Sequence, residues 1–297
     1  MRSLRTRARV RDSSSSFIEK KQAGQVPVAS LSSSDITADR SANGERLLLE
    51  EMVKAIGSEE GFVVDIAASD GLSQSSTVGL FASPGWTGLA VEMDATKFAV
   101  LAGRYSAFPG AQLARTRVKP GNVVDIFRSF EVPGRFTALN LDIDSYDLRV
   151  LEAILEGGYR PSIVSLEINE KIPPGVFFSV EFDPMHYWQN DHFYGCSIDA
   201  AFEVARRYGY SLHAMEFNNA FFYSSEAAVA GFKDLSPRFA YEQGYKNAAE
   251  RAYRFPYNSD VDHWMDLSAP EAVNQIESYF EKYCGLFSIS ESPAQEP

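Results

Sequence analysis

Two hydrophobic rhythms alternate along the middle of this chain. Short apolar runs stand at Phe62 to Ile66 ("FVVDI"), Leu89 to Met93 ("LAVEM"), Phe136 to Asp144 ("FTALNLDID") and Ser162 to Asn169 ("SIVSLEIN"), the pattern of strands buried on both faces. Around them apolar residues recur at helical spacing. Leu48, Leu49, Met52, Val53 and Ile56 form one stripe, stopped at Gly57; Leu148, Leu151, Ile154 and Leu155 form another, stopped by Gly157, Gly158 and Pro161. Strands that alternate with helices predict an α/β, doubly wound and mostly parallel sheet.

Past Asn169 the pattern breaks. Residues 170–196, "EKIPPGVFFSVEFDPMHYWQNDHFYGC", have no clean period and carry adjacent prolines and many aromatics, so they read as a lid or binding loop. "SIDAAFEVARRYGY" predicts a helix capped by Ser197. The runs "SLHAMEF" and "AFFYSS" predict a C-terminal antiparallel hairpin strand pair, turning at Asn218-Asn219. Two further helical segments are expected, around Phe239 to Tyr253 and from Ser268, where "SAPE" is a capping box with Pro270 near the first turn. The expected organisation is therefore an Arg/Ser-rich disordered tail over 1–44, a sheet domain over 45–223 and a C-terminal helical extension over 224–297.

Composition narrows the class. The 297 residues carry a formal charge of -12, which disfavours a nucleic-acid partner, because phosphate binding needs a basic face. Two cysteines, Cys196 and Cys284, make no disulfide framework and no CxxC pair. No apolar run reaches the ~18 residues of a membrane helix, so a cytoplasmic protein with no membrane partner is expected. The basic, serine-rich start "MRSLRTRARVRDSSSSF" also has the composition of an organelle-targeting segment.

Candidate chemistry sits at the C-terminal strand ends, where a doubly wound sheet binds its ligands. Asp65 and Asp70 flank the first turn, "DIAASDG", with Ala67 and Gly71 inside it. Glu92 ends the second run, Asp142 and Asp144 the third, Glu167 and Asn169 the fourth. Glu92 follows Gly71 by 21 residues, the offset at which an acid can accept both hydrogen bonds of a ribose diol. A pyrophosphate wants glycines and bare amides, whereas carboxylates at the turn favour a sulfonium with its ammonium group. That selects S-adenosylmethionine over NAD, with Asp65, Ala67, Asp70, Gly71, Glu92 and Asp142 as the cofactor-binding candidates. The alternatives are an NAD-dependent oxidoreductase, disfavoured by the single glycine, and a non-catalytic scaffold that keeps the fold.

The stretches "FVVDIAASDGLSQSSTVGLFASPGWTGLAVEMD", "ALNLDIDSYDLRVLEAI", "RPSIVSLEIN" and "YGCSIDAAFEVARRYGYSLHAMEFNNAFFY" together resemble the FkbM-type methyltransferases, over roughly residues 62–223. Members carry a D-x-G-A-N-D-G turn; here Ala67 stands for the first glycine and Ser69 for the asparagine. The resemblance implies a Rossmann-like fold, methyl transfer from S-adenosylmethionine to an oxygen, and Asp65, Gly71 and Glu92 as cofactor contacts. The expected acceptor is a small hydroxylated molecule such as a sugar or natural product.

Oxygens that converge on one strand-end crevice suit a hard cation, so Asp144, Glu167 and Asn169 are the candidate ligands of Mg²⁺, which would lower the pKa of an acceptor hydroxyl. Asp144, His192 and His186 are the candidate catalytic groups, the two histidines lying in the aromatic loop beside Asp191.

Overall fold

The computed structural model describes residues 31–293; the targeting reading, and the tail reading over 1–44 as far as residue 30, lie outside them. Among the described residues nine strands follow in order: β1 (Phe62–Ile66), β2 (Thr87–Glu92), β3 (Ala111–Arg115), β4 (Arg135–Leu141), β5 (Arg160–Glu167), β6 (Val176–Val180), β7 (Tyr210–Glu216), β8 (Asn219–Ser224) and β9 (Phe287–Glu291). Seven of them form one sheet in the order β3-β2-β1-β4-β5-β8-β7. The first five run parallel, and β8 lies antiparallel to both β5 and β7. From β1 the chain winds outward through β2 and β3, then returns to add β4 and β5 on the other side. The switch point, where crevices open above a doubly wound sheet, therefore lies between β1 and β4.

Helices cover both faces of this sheet: α1 (Ser33–Thr37), α2 (Glu45–Ala55), α3 (Val78–Ala82), α4 (Ala95–Tyr105), α5 (Val123–Ser129), α6 (Asp147–Glu156) and α7 (Ile198–Arg207). Successive strand residues point to opposite faces. Val63, Ala90, Ala138 and Ile163 pack with Leu49, Met52, Phe81 and Leu101, whereas Val64, Leu89, Leu139 and Val164 pack with Phe127, Leu151, Ile154 and Val204. The near-continuous apolar runs are thus explained by a sheet that is covered twice.

Four boundaries differ from the sequence reading. The ordered chain starts before residue 45: Ser32 and Asp35 form a capping box on α1, and the buried Arg46 guanidinium donates to the carbonyls of Ile36 and Ala38. The aromatic loop contains β6, whose valines are buried and which pairs antiparallel with β9 in a second, two-stranded sheet. The extension is accordingly not all helical, because its last described segment is that strand. Its expected helix around residues 239–253 is broken into α8 (Pro237–Tyr241), a π-helical turn (Glu242–Lys246) and α9 (Arg251–Arg254), with α10 (Ala269–Tyr279) following. A Cβ at Gly244 would collide with the Met215 carbonyl oxygen, so the turn rides directly on β7. The hairpin turn is Phe217-Asn218, one residue earlier than expected, since Glu216 pairs with Asn219.

Candidate active site

A cavity of about 460 Å³ opens at the switch point. It is walled by the β1–α3 loop, the ends of β2 and β4, the segment Thr116 to Val118 after β3, and Tyr187 and Trp188 from the aromatic loop. Its volume falls in the range of small-molecule and cofactor sites.

The β1–α3 loop reaches this position through an unusual backbone. Ala67, Ser69 and Gln74 adopt positive φ values of 70°, 52° and 60°, a region that costs an L-residue on the order of 1–3 kcal/mol and is concentrated at functional sites. Ala67 lines the cavity and its N–H donates to the Val91 carbonyl at 2.9 Å. The two acids of the turn part company. Asp65 lines the cavity, with one oxygen accepting from Thr77 Oγ1 at 2.5 Å and the other from Asn140 Nδ2 at 2.9 Å. Burial raises its pKa, against the pull of those two donors.

Asp70 does not line the cavity. Its carboxylate accepts from the Leu72 and Ser73 amides and the Ser73 hydroxyl, and pairs with Arg104 at 2.8 Å. Burial pushes its pKa up, but Arg104 and the turn amides hold it below the usual carboxylate value. Gly71 also turns away: at φ 75° a Cβ there would meet the side chains of Leu101 and Tyr105. Both residues shape the turn and its packing on α4, and the expectation that they touch a cofactor has no support in their placement.

Glu92 lines the cavity at the end of β2, where its two oxygens accept from the Ser69 amide at 2.9 Å and the Asp94 amide at 2.6 Å. Those bonds fix the carboxylate between two loops, and each oxygen retains further acceptor capacity.

Across the crevice the acids converge. Asp142, Asp144 and Glu167 each place a carboxylate oxygen within 4.8 Å of the others. Asp142 and Asp144 line the cavity, and Asp144 sits at φ 56°. Glu167 is buried beside them: Oε1 accepts from Asn218 Nδ2 at 3.3 Å, and Oε2 has no hydrogen-bond partner among the described residues. Burial, compounded by mutual repulsion, raises Asp142 and Glu167 well above the ordinary carboxylate pKa. Asp144 is raised by burial and restrained by Lys97, a cation on the opposite wall. Behind them Asp147 caps the Ile143 and Ser145 amides and is pushed up to about 7, chiefly by burial.

Asn169, expected in the metal set, is committed elsewhere. Its Nδ2 donates to the His192 and Tyr194 carbonyls at 2.9 Å each, pinning the loop to the end of β5, and it does not line the cavity. Asp142 takes its place in the converging set. The two loop histidines are also absent from the cavity wall. His192 Nε2 meets Asp260 at 3.1 Å, and the His186 ring stands edge-on to Phe193 and Tyr283 with its pKa lowered by burial. They hold the loop against the extension, so a catalytic role for either has no geometric basis.

Several residues in or behind the wall escaped sequence reasoning. Asn140 and Thr77 orient Asp65, and the chain Asn43–Asn218–Glu167 orients the inner acid. Asn140 carried a signal, being a polar residue inside an apolar strand; Arg117 and Lys97 carried none beyond their type, whereas Tyr187 and Trp188 belong to the aromatic loop whose composition suits enclosing an organic ligand.

No family model matches the chain, and no curated protein matches it. Solved structures similar in fold include the N-terminal domain of EvdMO1 in the presence of SAH and D-fucose (10% identity, TM-score 0.38, covering 60% of this chain and 80% of that one). SAM-bound CalS10, an amino pentose methyltransferase from Micromonospora echinaspora, is 11% identical with a TM-score of 0.39 over 62% of this chain and 91% of that one. A SAM-dependent methyltransferase from Aquifex aeolicus is 10% identical with a TM-score of 0.35 over 60% of this chain and 88% of that one. Likeness at this level assigns no activity to this chain.

Proposed function

We propose that this chain transfers the methyl group of S-adenosylmethionine to a hydroxyl of a small acceptor, a sugar or natural product. The observation that carries this reading is the charge of the switch-point cavity: Asp65, Glu92, Asp142 and Asp144 line it, against Lys97 and Arg117, and Arg117 is bonded to the aromatic loop. Burial and mutual repulsion disfavour charge on Asp65, Asp142 and Asp144, a penalty that a sulfonium carrying an ammonium group relieves and a pyrophosphate deepens. Among the described residues the β1–α3 turn offers no phosphate cradle, because Gly71 faces the core and α3 begins only at Val78. The FkbM-type resemblance supports the same cofactor.

The residues divide the work as follows. Glu92, already fixed by two amides, accepts from the ribose diol. Asp65 stays in its cage of Thr77 and Asn140 and shapes the turn beneath. An acceptor hydroxyl enters beside Asp144: its oxygen bonds to the methyl carbon as the carbon–sulfur bond breaks, and its proton passes to the Asp144 carboxylate. Burial raises the pKa of that carboxylate, which makes it a better proton acceptor than a solvated one. Alignment in an enclosed site supplies much of the rate, which places weight on the Tyr187–Trp188 wall.

A divalent cation is an alternative to direct proton acceptance by Asp144. The unpartnered Glu167 Oε2 and the three converging oxygens fit a hard metal ion held by Asp142, Asp144 and Glu167, and such an ion would lower the pKa of a hydroxyl bound to it.

Calorimetric titration with S-adenosylhomocysteine, in Mg²⁺ and again in EDTA with NAD as control, tests the cofactor and the cation. Micromolar binding that Glu92→Ala weakens by at least tenfold is expected, about 1.4 kcal/mol. Binding of NAD instead would install the oxidoreductase reading, and a folded protein that binds neither would leave the scaffold. A metal-independent titration with Glu167→Gln unchanged would remove the cation.

A further inference from the structure

We propose that Arg117 is a positioning residue that latches the tip of the aromatic loop, residues 184–190, over the cofactor cavity. It deepens the reading above and rests on it only for the identity of the ligand enclosed. The root of the loop is tied to the C-terminal extension through His192 to Asp260 and Asp191 to Tyr283 and Lys282. Its tip touches the extension through the His186 ring, edge-on to Tyr283, and among the described residues makes no hydrogen bond to it. Hydrogen bonds from Met185, His186, Trp188 and Gln189 stay within the loop, to Asp183, Asp191 and Tyr187. Among the described residues, the hydrogen bonds that join the tip to the rest of the protein come from Arg117: Nη1 donates to the Pro184 carbonyl and Nη2 to the His186 carbonyl, both at 2.8 Å.

The same guanidinium is anchored behind. Its Nε donates to Tyr146 Oη at 3.0 Å, and that hydroxyl donates to the Val118 carbonyl at 2.8 Å. Its carbon lies 4.1 Å from the centre of the Tyr187 ring. One planar cation thus joins the end of β3, the start of α6 and the lid tip, and presents Tyr187 and Trp188 to the cavity. Lysine cannot reproduce two parallel donors and a stacked face. Asn190, at φ 57°, supplies a bend between the latched tip and the anchored root.

Tryptophan fluorescence reads the latch directly. The chain has three tryptophans; Trp86 and Trp264 are buried, and Trp188 is 36% exposed, so acrylamide quenching reports the lid. Arg117→Ala is expected to raise the Trp188 quenching constant at least twofold in the unliganded protein, with Arg117→Lys closer to alanine than to wild type. In stopped flow, S-adenosylhomocysteine should leave Arg117→Ala about tenfold faster than wild type, the size expected for losing charge-assisted bonds.

Unchanged quenching in both variants overturns the latch, as does faster dissociation with the lid unmoved, since the effect would then be a lost ligand contact. If S-adenosylhomocysteine binds no form of the protein, the quenching arm still decides the latch, and only the cofactor fails. Should Arg117→Ala not fold, judged by near-ultraviolet circular dichroism, Arg117→Lys carries the test.

Discussion

Ala67→Gly should stabilise the protein, although glycine normally weakens a fold. Ala67 sits at φ 70°, where its Cβ crowds the following carbonyl. The strain of an L-residue in the left-handed region is about 1–2 kcal/mol, and glycine relieves it. Against that, glycine loosens the unfolded chain at a cost of about 0.4–1 kcal/mol. The difference is a stabilisation of about 1 kcal/mol, or a rise in Tm of roughly 2 °C for a chain of this size. The next residue is the control. Ala68 is 5% exposed in the core against Leu101 and Tyr105 and has no positive φ, so Ala68→Gly should destabilise by about 1 kcal/mol. Urea unfolding of the two variants against wild type measures both signs. A Ala67→Gly variant less stable than wild type by 0.5 kcal/mol or more, on the order of experimental significance, would refute the strain argument. Ala67 also lines the cavity, so S-adenosylhomocysteine affinity should hold or improve.

Two further predictions concern charge. Asp70 has a folded pKa below its unfolded value, so its contribution is present above about pH 4 and is lost as pH falls through the folded pKa; Asp70→Asn should be less stable than wild type at pH 7, and the gap should close in unfolding curves run towards pH 3. Lys171 and Glu170 form an ion pair at 3.2 Å, both fully enclosed and bonded to Tyr194, with Asn258 of the extension donating to Glu170. Lys171→Met strands Glu170 and should cost about 3–5 kcal/mol by urea unfolding; the double variant with Glu170→Gln should recover part of that loss.

The parallel half of the sheet was legible because its strands are covered on both faces, so Val63, Val64, Ile66, Leu139 and Leu141 write a near-continuous apolar signature. The edge strand β3 was not: only Ala114 of "AQLAR" is buried, and an exposed edge leaves no run to read. β6 and β9 were missed for another reason. Val176 pairs with Glu291 across more than a hundred residues, a partnership that local periodicity does not encode. At the site, the strand-end rule located Asp65, Glu92, Asp142, Asp144 and Glu167 at or beside the cavity. It failed where direction mattered. Asp65 and Asp70 look equivalent in "DIAASDG", yet the left-handed residues at 67 and 69 turn the second away to Arg104.

That failure has a physical lesson for this cavity. Its floor is shaped by backbone conformation at Ala67, Ser69, Gln74 and Asp144, positions where the residue type does not announce a positive φ. Its roof is held by Arg117, whose partners are main-chain carbonyls 67 and 69 residues away and so have no side-chain identity to be read. The acids could be found because their chemistry is in their names. The geometry that decides which of them meets a ligand lies in dihedral angles and carbonyl directions, and substitutions that change only those, Ala67→Gly below and Arg117→Lys above, are the ones that separate a working site from a row of carboxylates.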